Sequence, residues 1–99
     1  MNGVPVEGKV VLVTGANRGI GKALAIKALE LGAKKVYATA RDESKLAEVK
    51  AIDSSRVVTL TLDVTNSDQV KAAAAAATDV DIVINNAGLT RDNLAMRLK

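Results

Sequence analysis

The sequence predicts an α/β fold in which four parallel strands, in the order 3-2-1-4, form a sheet with helices on both faces. Three observations support this class. Apolar runs alternate with segments of helical periodicity, in units of about 20–25 residues. The first run, residues 10–13, is uninterrupted, as in a strand buried on both faces. A glycine-rich turn, residues 15–21, then leads into a helix.

The strands are predicted at short, β-branched segments, which are residues 10–13, 35–40, 57–62 and 81–84. The carboxyl ends of parallel strands meet at one edge of the sheet, and ligands bind there, where the strand order reverses between strands 1 and 4. We therefore expect the turns after strands 1 and 4 to border a binding site.

The first helix is predicted to bury one apolar stripe and to end at Gly32, which suits a C-terminal cap. The stripe consists of Ile20, Leu24, Ala28 and Leu31. Asp42 is predicted to cap a short second helix. The inner residues of that helix would be Leu46, Val49 and Ile52.

Asn66 or Ser67 is predicted to begin the third helix. Alanine is the best helix former, so the run from Ala72 to Ala77 fits this assignment. The inner side would be formed by Val70, Ala73, Ala74 and Ala77. Leu94 and Leu98 suggest that a further helix begins within residues 89–99.

Composition limits the function classes. The 99 residues suit one domain, 1–99, and neither Cys nor His is present, which excludes disulfides, thiol chemistry and His-based triads. The net charge of +3 is spread over scattered basic residues, and the single aromatic is Tyr37, so no nucleic-acid partner is expected. The longest apolar run is too short to cross a membrane, and the start has no signal-peptide pattern. We expect a cytoplasmic protein without a membrane partner.

The glycine-rich turn is the strongest functional motif. It reads Thr14-Gly15-Ala16-Asn17-Arg18-Gly19-Ile20-Gly21. Gly15 permits a tight turn, Gly19 lets the backbone approach a pyrophosphate, and Gly21 lets the helix pack close to the sheet. The free N–H groups and the dipole at the helix start favour phosphate. This context favours phosphate binding over a purely structural turn.

These residues resemble the TGxxxGIG motif of the short-chain dehydrogenase/reductase family. Asp63-Val64 resembles the family's adenine-contacting pair, and Asn85-Asn86-Ala87-Gly88 matches its NNAG motif. Residues 85–99 are similar to bacterial 3-oxoacyl-acyl-carrier-protein reductases, while the earlier part is more similar to carbonyl reductases. The resemblance implies a Rossmann-type half-domain, and the mixture suggests a consensus, chimeric or engineered sequence.

The resemblance implies a dinucleotide as the partner of the chain. Asp63 would accept a hydrogen bond from the adenine amino group beside Val64. The alternative is that Asp63 caps the turn before the next helix, and both roles are compatible. Asn85 would tie strand 4 to its neighbours. The floor under the adenosine ribose would be Asn86, Ala87 and Gly88. The cofactor-binding set is therefore Gly15, Asn17, Arg18, Gly19, Ile20, Gly21, Arg41, Asp63, Val64, Asn86, Ala87 and Gly88.

Charge after strand 2 sets the expected cofactor. An acidic residue there would hold the ribose hydroxyls of NAD, and a basic one would pair with the 2′-phosphate of NADP. Ala40 takes the acidic position and Arg41 follows it, while Arg18 could reach the same phosphate. We expect weak binding with NADP preferred over NAD. Pairing of Asp42 with Arg41 would weaken the preference.

No catalytic residue is assigned within the 99 residues. The resemblance places the family's catalytic Ser and Tyr-x-x-x-Lys pair beyond Lys99, and Tyr37 has Arg41 rather than Lys four residues on. The leading hypothesis is a cofactor-binding module without turnover. The alternatives are an oxidoreductase of the carbonyl or 3-oxoacyl reductase type and an engineered or excised α/β fragment that self-assembles without ligand.

Strand 4 is expected to be an open edge. Residues 81–85 have a β-branched, uncharged middle without Pro or Lys, and so lack the usual protection against pairing. This favours a homodimer through the strand 4 edge, with exchange of residues 89–99 as a variant. The competing outcome is a monomer whose tail folds back over the edge.

Overall fold

The computed structural model describes residues 6–17 and 19–86, together with the backbone of residues 95–98. The elements follow in the order β1 (Val10–Val13), α1 (Gly19–Glu30), β2 (Lys35–Ala40), a 3₁₀ helix (Glu43–Leu46), α2 (Ala47–Ile52), β3 (Val57–Thr61), α3 (Ser67–Ala76), β4 (Ile82–Asn85) and β5 (Ala95–Leu98). None of the helices in these ranges is long and apolar enough to cross a membrane.

The sheet has the order β3-β2-β1-β4-β5. Strands β1 to β4 are parallel, with Val11 opposite Val36 on one side and Ile82 on the other. The predicted order 3-2-1-4 is confirmed. The carboxyl ends of these four strands therefore share one edge, and the order reverses between β1 and β4.

The segment expected to begin a helix contains a strand instead. Strand β5 pairs antiparallel with β4, with Ile84 opposite Met96. The helix prediction for residues 89–99 is wrong over residues 95–98, and Leu94 lies outside the described residues. Two leucines four residues apart are weak evidence, since helices shorter than about 12–15 residues are marginal alone. The free N–H and C=O groups of β4 give a short segment a stronger alternative.

The expectation of an open strand 4 edge is also wrong. Strand β4 pairs with β1 on one side and with β5 on the other, as in the competing outcome in which the tail folds back. The basis for a dimer through that edge is removed. Self-association itself stays a prediction, and sedimentation over a concentration series would test it.

Apolar side chains pack on both faces of the sheet. On one face, Val13 and Val36 are fully buried against residues of α1 and α2, among them Ala25 and Val49. On the other face, a smaller cluster follows the end of α3; it comprises Val10, Leu12, Tyr37, Ala77 and Val80. This arrangement matches the three layers expected for a Rossmann-type half-domain.

The predicted inner stripe of α1 is wrong in phase. Ile20 is 67% exposed and Leu31 is 50% exposed, whereas Ala28 is buried as expected. Leu24 is half-buried. The buried set is Gly21, Ala25, Ala28 and Leu29. Small residues face the sheet because they let the helix backbone approach it closely, so residue volume outweighs hydrophobicity.

Both predicted helix caps are confirmed. Asp42 accepts a hydrogen bond from the Ser44 N–H at the 3₁₀ helix, and Asn66 accepts one from the Gln69 N–H at α3. The inner sides are confirmed in part. Leu46, Val49, Ala73 and Ala77 are buried, whereas Ile52, Val70 and Ala74 are exposed. The exposed ones lie toward solvent at the ends or flank of short helices.

Candidate functional site

A cleft of about 750 Å³ lies at the carboxyl ends of β1 to β4, which is within the usual range for ligand pockets. Turns after all four strands contribute to it, as the reversal of strand order predicts. Its lining residues are Gly15, Asn17, Gly19, Ala40, Arg41, Asp42, Lys45, Leu62, Asp63, Val64, Thr65 and Asn86. Seven of the predicted cofactor residues are thus brought together, namely Gly15, Asn17, Gly19, Arg41, Asp63, Val64 and Asn86.

The glycine turn has a backbone that requires glycine. Gly15 has φ 63° and Gly19 has φ 58°, a left-handed conformation that side chains disfavour. A Cβ on Gly19 would meet nothing within 4 Å, so this face of the turn borders open space. A Cβ on Gly21 would overlap the carbonyl oxygen of Gly15. Gly21 therefore supports the turn from beneath and does not line the cleft.

Residues at the end of β4 hold the turn in place. The Asn86 side-chain amide donates to the Gly15 carbonyl at 3.4 Å, and the Thr14 hydroxyl donates to Asn85 Oδ1 at 3.1 Å. The Thr14 backbone N–H donates to the Ile84 carbonyl at 3.0 Å. The predicted tying role of Asn85 is confirmed. Asn86, predicted as part of a ribose floor, also supports the glycine turn.

Asp63 caps the turn after β3. The backbone N–H and the hydroxyl of Thr65 donate to Asp63 Oδ1 at 2.9 and 2.6 Å. These bonds lower the pKa of Asp63, and the nearby charge of Arg41 lowers it further. The carboxylate is therefore ionised at neutral pH and has a fixed position beside the cleft. The capping alternative for Asp63 is confirmed, and its adenine contact remains a prediction.

Gln69 contributes to this turn and was not predicted. Its side-chain carbonyl accepts the Asp63 backbone N–H at 2.7 Å, while its own N–H donates to Asn66 Oδ1 at 3.1 Å. The spacing of Asn66 and Gln69 fits the pattern of an N-cap residue followed three positions later by Glu or Gln. That pattern is visible in the sequence and would have identified Gln69.

Two cations lie at the β2 side of the cleft. Arg41 and Lys45 are both exposed and both line it. Among the described residues Arg41 forms no salt bridge, and Asp42 is occupied by the N–H and hydroxyl of Ser44 at 3.0 and 2.6 Å. The pairing of Asp42 with Arg41 that would weaken the charge is not formed. Lys45 was not predicted to line the cleft, although a basic residue one helical turn after Arg41 is visible in the sequence.

Two further predicted residues lie outside the cleft lining, and three are not described. Ile20 is exposed at the start of α1 and does not line the cleft, and Gly21 is buried under the turn. Arg18, Ala87 and Gly88 lie outside the described residues.

Comparison with known proteins agrees with the geometry. The sequence model of the short chain dehydrogenase family matches residues 9–99. The chain is 49% identical over 98 residues to the 3-oxoacyl-[acyl-carrier-protein] reductase FabG of Vibrio cholerae, covering 95% of this chain and 40% of that protein. The FabG of Escherichia coli is 42% identical over 97 residues, with 94% and 39% covered. The chain thus spans about 40% of the length of these relatives.

Solved structures show the same fold. A short chain dehydrogenase from Burkholderia cenocepacia in complex with NADP aligns with a TM-score of 0.78 at 46% identity, covering 89% of this chain and 35% of that one. A short chain dehydrogenase/reductase from Burkholderia phymatum in complex with NAD aligns at 0.73 and 34%, covering 82% and 31%. With nearly the whole sequence matched by the family, this chain belongs to the short chain dehydrogenases.

Proposed function

We propose that the chain binds a nicotinamide dinucleotide in the cleft and prefers NADP to NAD. The observation that carries the proposal is the convergence of the glycine turn, Arg41, Asp63 and Asn86 on one cleft at the reversal of strand order. When bound, such a cofactor supplies hydride-transfer chemistry. The residues of this chain would bind and orient it.

The glycine turn would hold the pyrophosphate. Open space beside Gly19 lets phosphate oxygens approach the backbone, and the N–H groups at the start of α1 provide donors and a favourable dipole. Gly15 and Asn17 line the same part of the cleft. Arg18, Ile20 and Gly21 were predicted to bind the cofactor as parts of this same turn. The anionic bridge of the cofactor would therefore lie across the turn.

The adenosine would lie between the ends of β2, β3 and β4. Asp63, fixed by Thr65, has a second carboxylate oxygen that would accept a bond from the adenine amino group, beside Val64. Asn86 would contact the ribose, together with Ala87 and Gly88. These contacts are common to NAD and NADP.

The preference for NADP would come from Arg41, with Arg18 as a second candidate. Ala40 leaves the position for an NAD-binding carboxylate without charge, and Asp42 Oδ1 accepts hydrogen bonds from Ser44 rather than from Arg41. A guanidinium suits a phosphate because its N–H groups form a planar fork. The two Burkholderia proteins named above carry NADP and NAD, so the family accommodates either cofactor.

Calorimetric titration of NADP and NAD tests the proposal. We expect tighter binding of NADP, and we expect Arg41→Asp to reduce or reverse the preference because it places a carboxylate against the 2′-phosphate. Lys34→Asp changes the charge equally but lies at the opposite end of β2, so it should leave the preference intact. Equal binding of both cofactors by the unmodified chain would refute the preference, and no binding of either would refute the site.

A second candidate is 3-oxoacyl-acyl-carrier-protein reduction by a protein that contains this segment. The 49% identity to the V. cholerae reductase favours it. Within these residues, the Tyr37 hydroxyl donates to Asp79 at 2.8 Å, ahead of β4 and away from the cleft, so it is not placed to give a proton there. Oxidation of NADPH with a 3-oxoacyl thioester tests this candidate. Thioester-dependent turnover would establish it, and binding without turnover would limit the 99 residues to cofactor binding.

A further inference from the structure

Strand β3 forms an outer edge of the sheet, and its backbone alternates between facing β2 and facing outward. Among the described strands it pairs with β2 alone. The Arg56 carbonyl accepts a hydrogen bond from the Val36 N–H at 2.8 Å. The Leu62 N–H donates to the Ala40 carbonyl, also at 2.8 Å. Every second residue from 56 to 62 therefore faces β2, and the residues between them point their N–H and C=O groups away from the sheet.

Both ends of this outward row are closed by bonds within the chain. At the amino end, the Val57 N–H donates to the Asp53 carbonyl at 3.0 Å, and the Val57 carbonyl accepts from Lys50 Nζ at 2.5 Å. At the carboxyl end, the Asp63 N–H donates to Gln69 Oε1 at 2.7 Å. The Asp63 carbonyl accepts the backbone N–H three residues later at 2.9 Å. Only the middle of the row is left for another strand.

The open part of the edge consists of Thr59 and Thr61. Their hydroxyls donate to Glu43, but among the residues that the structure describes none bonds their outward N–H and C=O groups. A shallow cavity of about 310 Å³ lies between Thr59 and the helical residues after β2, so a strand has room to approach. Strand β3 contains neither a charged residue nor Pro, the usual protection of an edge.

We propose that a second copy of this chain pairs antiparallel with the β3 edge, so that Leu60 faces its own counterpart on a two-fold axis. In this register Thr59 of each copy lies opposite Thr61 of the other, and each such pair exchanges both of its N–H···O=C bonds. Any other two-fold register of these residues sets one of them against Val57 or Asp63, whose backbone groups are already bonded. The open edge is thus complementary to itself in one register.

The side chains and charges of β3 support the same occupant. Val58 and Leu60 are half-buried on one face, and the two Leu60 side chains would meet at a position without hydrogen bonds, where opposite residues approach most closely. Antiparallel pairing also sets the end of β3 that carries Lys50 beside the end of the copy that carries the ionised Asp63. Opposite charges therefore face each other at both ends. The two Glu43 carboxylates would repel on the other face, which limits the strength of the pairing.

This pairing would join two five-stranded sheets into one sheet of ten strands. A two-fold contact uses the same surface on both copies and is closed, so it ends at a dimer and does not extend into a fibre. The inference is independent of the cofactor proposed for the cleft.

Sedimentation velocity over a concentration series tests the pairing. We expect a reversible dimer of the unmodified chain. Leu60→Lys and Leu60→Glu should each lose the dimer, because like charges would meet at the axis. An equimolar mixture of the two variants should restore it, because Lys then lies opposite Glu. Leu31→Lys adds the same charge at an exposed apolar residue at the end of α1 and should leave the dimer intact.

A second pair of variants tests the backbone bonds and does not alter the half-buried face. Thr61→Pro removes the outward N–H without touching the bonds to β2, whereas Thr61→Val keeps that N–H. Both lose the hydroxyl, and Thr61 is exposed, so only Thr61→Pro should weaken the dimer. Circular dichroism checks that each variant is folded.

Three results would overturn the proposal. A monomer at every concentration excludes the pairing. A dimer that survives both Leu60 variants or Thr61→Pro places the interface elsewhere. Folded Leu60 variants that stay monomeric when mixed exclude the register in which Leu60 faces its counterpart.

Discussion

Gly21 lies directly beneath the carbonyl group of Gly15, so closely that a Cβ on Gly21 would overlap that oxygen and stand 2.6 Å from the Asn86 Nδ2. The first turn of α1 is thereby packed against the turn that precedes it. The same carbonyl accepts a hydrogen bond from Asn86. Helix, turn and β4 thus meet at one point under the cleft.

Gly21→Ala should destabilise the fold and weaken cofactor binding. The clash involves backbone, so no rotamer change relieves it, and overpacking of this kind costs about 1–3 kcal/mol. Chemical denaturation measures the loss, and titration with NADP measures the binding. A variant with the stability of the unmodified chain would show that α1 can shift without cost.

Gly19→Ala and Gly8→Ala form a matched pair. Both glycines have positive φ, 58° and 76°, and a Cβ on either would meet nothing within 4 Å. Each substitution should therefore carry a similar backbone cost of about 1–2 kcal/mol. Only Gly19 borders the cleft, so only Gly19→Ala should weaken NADP binding. Equal affinities of the two variants would contradict a phosphate over Gly19.

Arg56→Met should destabilise the fold without affecting the cleft. The Arg56 guanidinium donates to the Ala33 carbonyl at 2.7 Å and the Leu29 carbonyl at 3.4 Å, at the end of α1. Bonds from a charged donor contribute about 1.5–3 kcal/mol, so we expect a clear loss of thermal stability with unchanged cofactor affinity. Arg56→Lys should recover only part of the lost thermal stability, since one ammonium group cannot make the two hydrogen bonds of the planar guanidinium.

Asp53 should contribute to acid sensitivity. The Asp53 carboxylate accepts a hydrogen bond from the Arg56 side chain and another from Ser55, and these bonds lower the pKa of Asp53 from 3.8 to about 2. Because the folded pKa lies below the unfolded one, the stabilisation is present above about pH 4 and is lost as the pH falls toward 2. Asp53→Asn should therefore be less stable at neutral pH, and its deficit should shrink between pH 4 and 2. A constant deficit across that range in denaturant titrations would contradict this.

Leu46→Ala and Ile52→Ala should differ sharply although both residues were predicted to face inward. Leu46 is completely buried, so the truncation should cost about 2–5 kcal/mol. Ile52 is 48% exposed and should lose much less. Similar losses in denaturation experiments would show that α2 packs differently.

The sheet order and the cleft were predictable because they depend on long-range rules. Buried strands, parallel crossovers and a glycine turn at the reversal of order leave few alternatives. Which side of α1 faces the sheet was not predictable from hydrophobicity. Gly21 and Ala25 are buried because they are small, while the larger Ile20 is exposed. Strand β5 was missed because its formation depends on β4, which the local pattern of residues 95–98 does not reveal.

Side-chain contacts around the cleft fall between these cases. The caps at Asp42 and Asn66 follow from local rules and were predicted. That Asp42 would bond Ser44 rather than Arg41 depends on side-chain geometry, because both pairings are compatible with the spacing. The position of Lys45 beside the cleft was equally hard to predict, since it depends on the 3₁₀ helix that follows β2.

The cluster of Lys35, Tyr37 and Asp79 sits on the amino side of the sheet. Lys35 bonds Asp79 at 2.6 Å and Tyr37 at 3.1 Å. It joins β2 to the segment before β4 on the side away from the cleft. Attachment to a surface or fusion to a partner near this cluster would leave the cleft facing solvent. An immobilised form of the chain would then keep the proposed nucleotide site accessible.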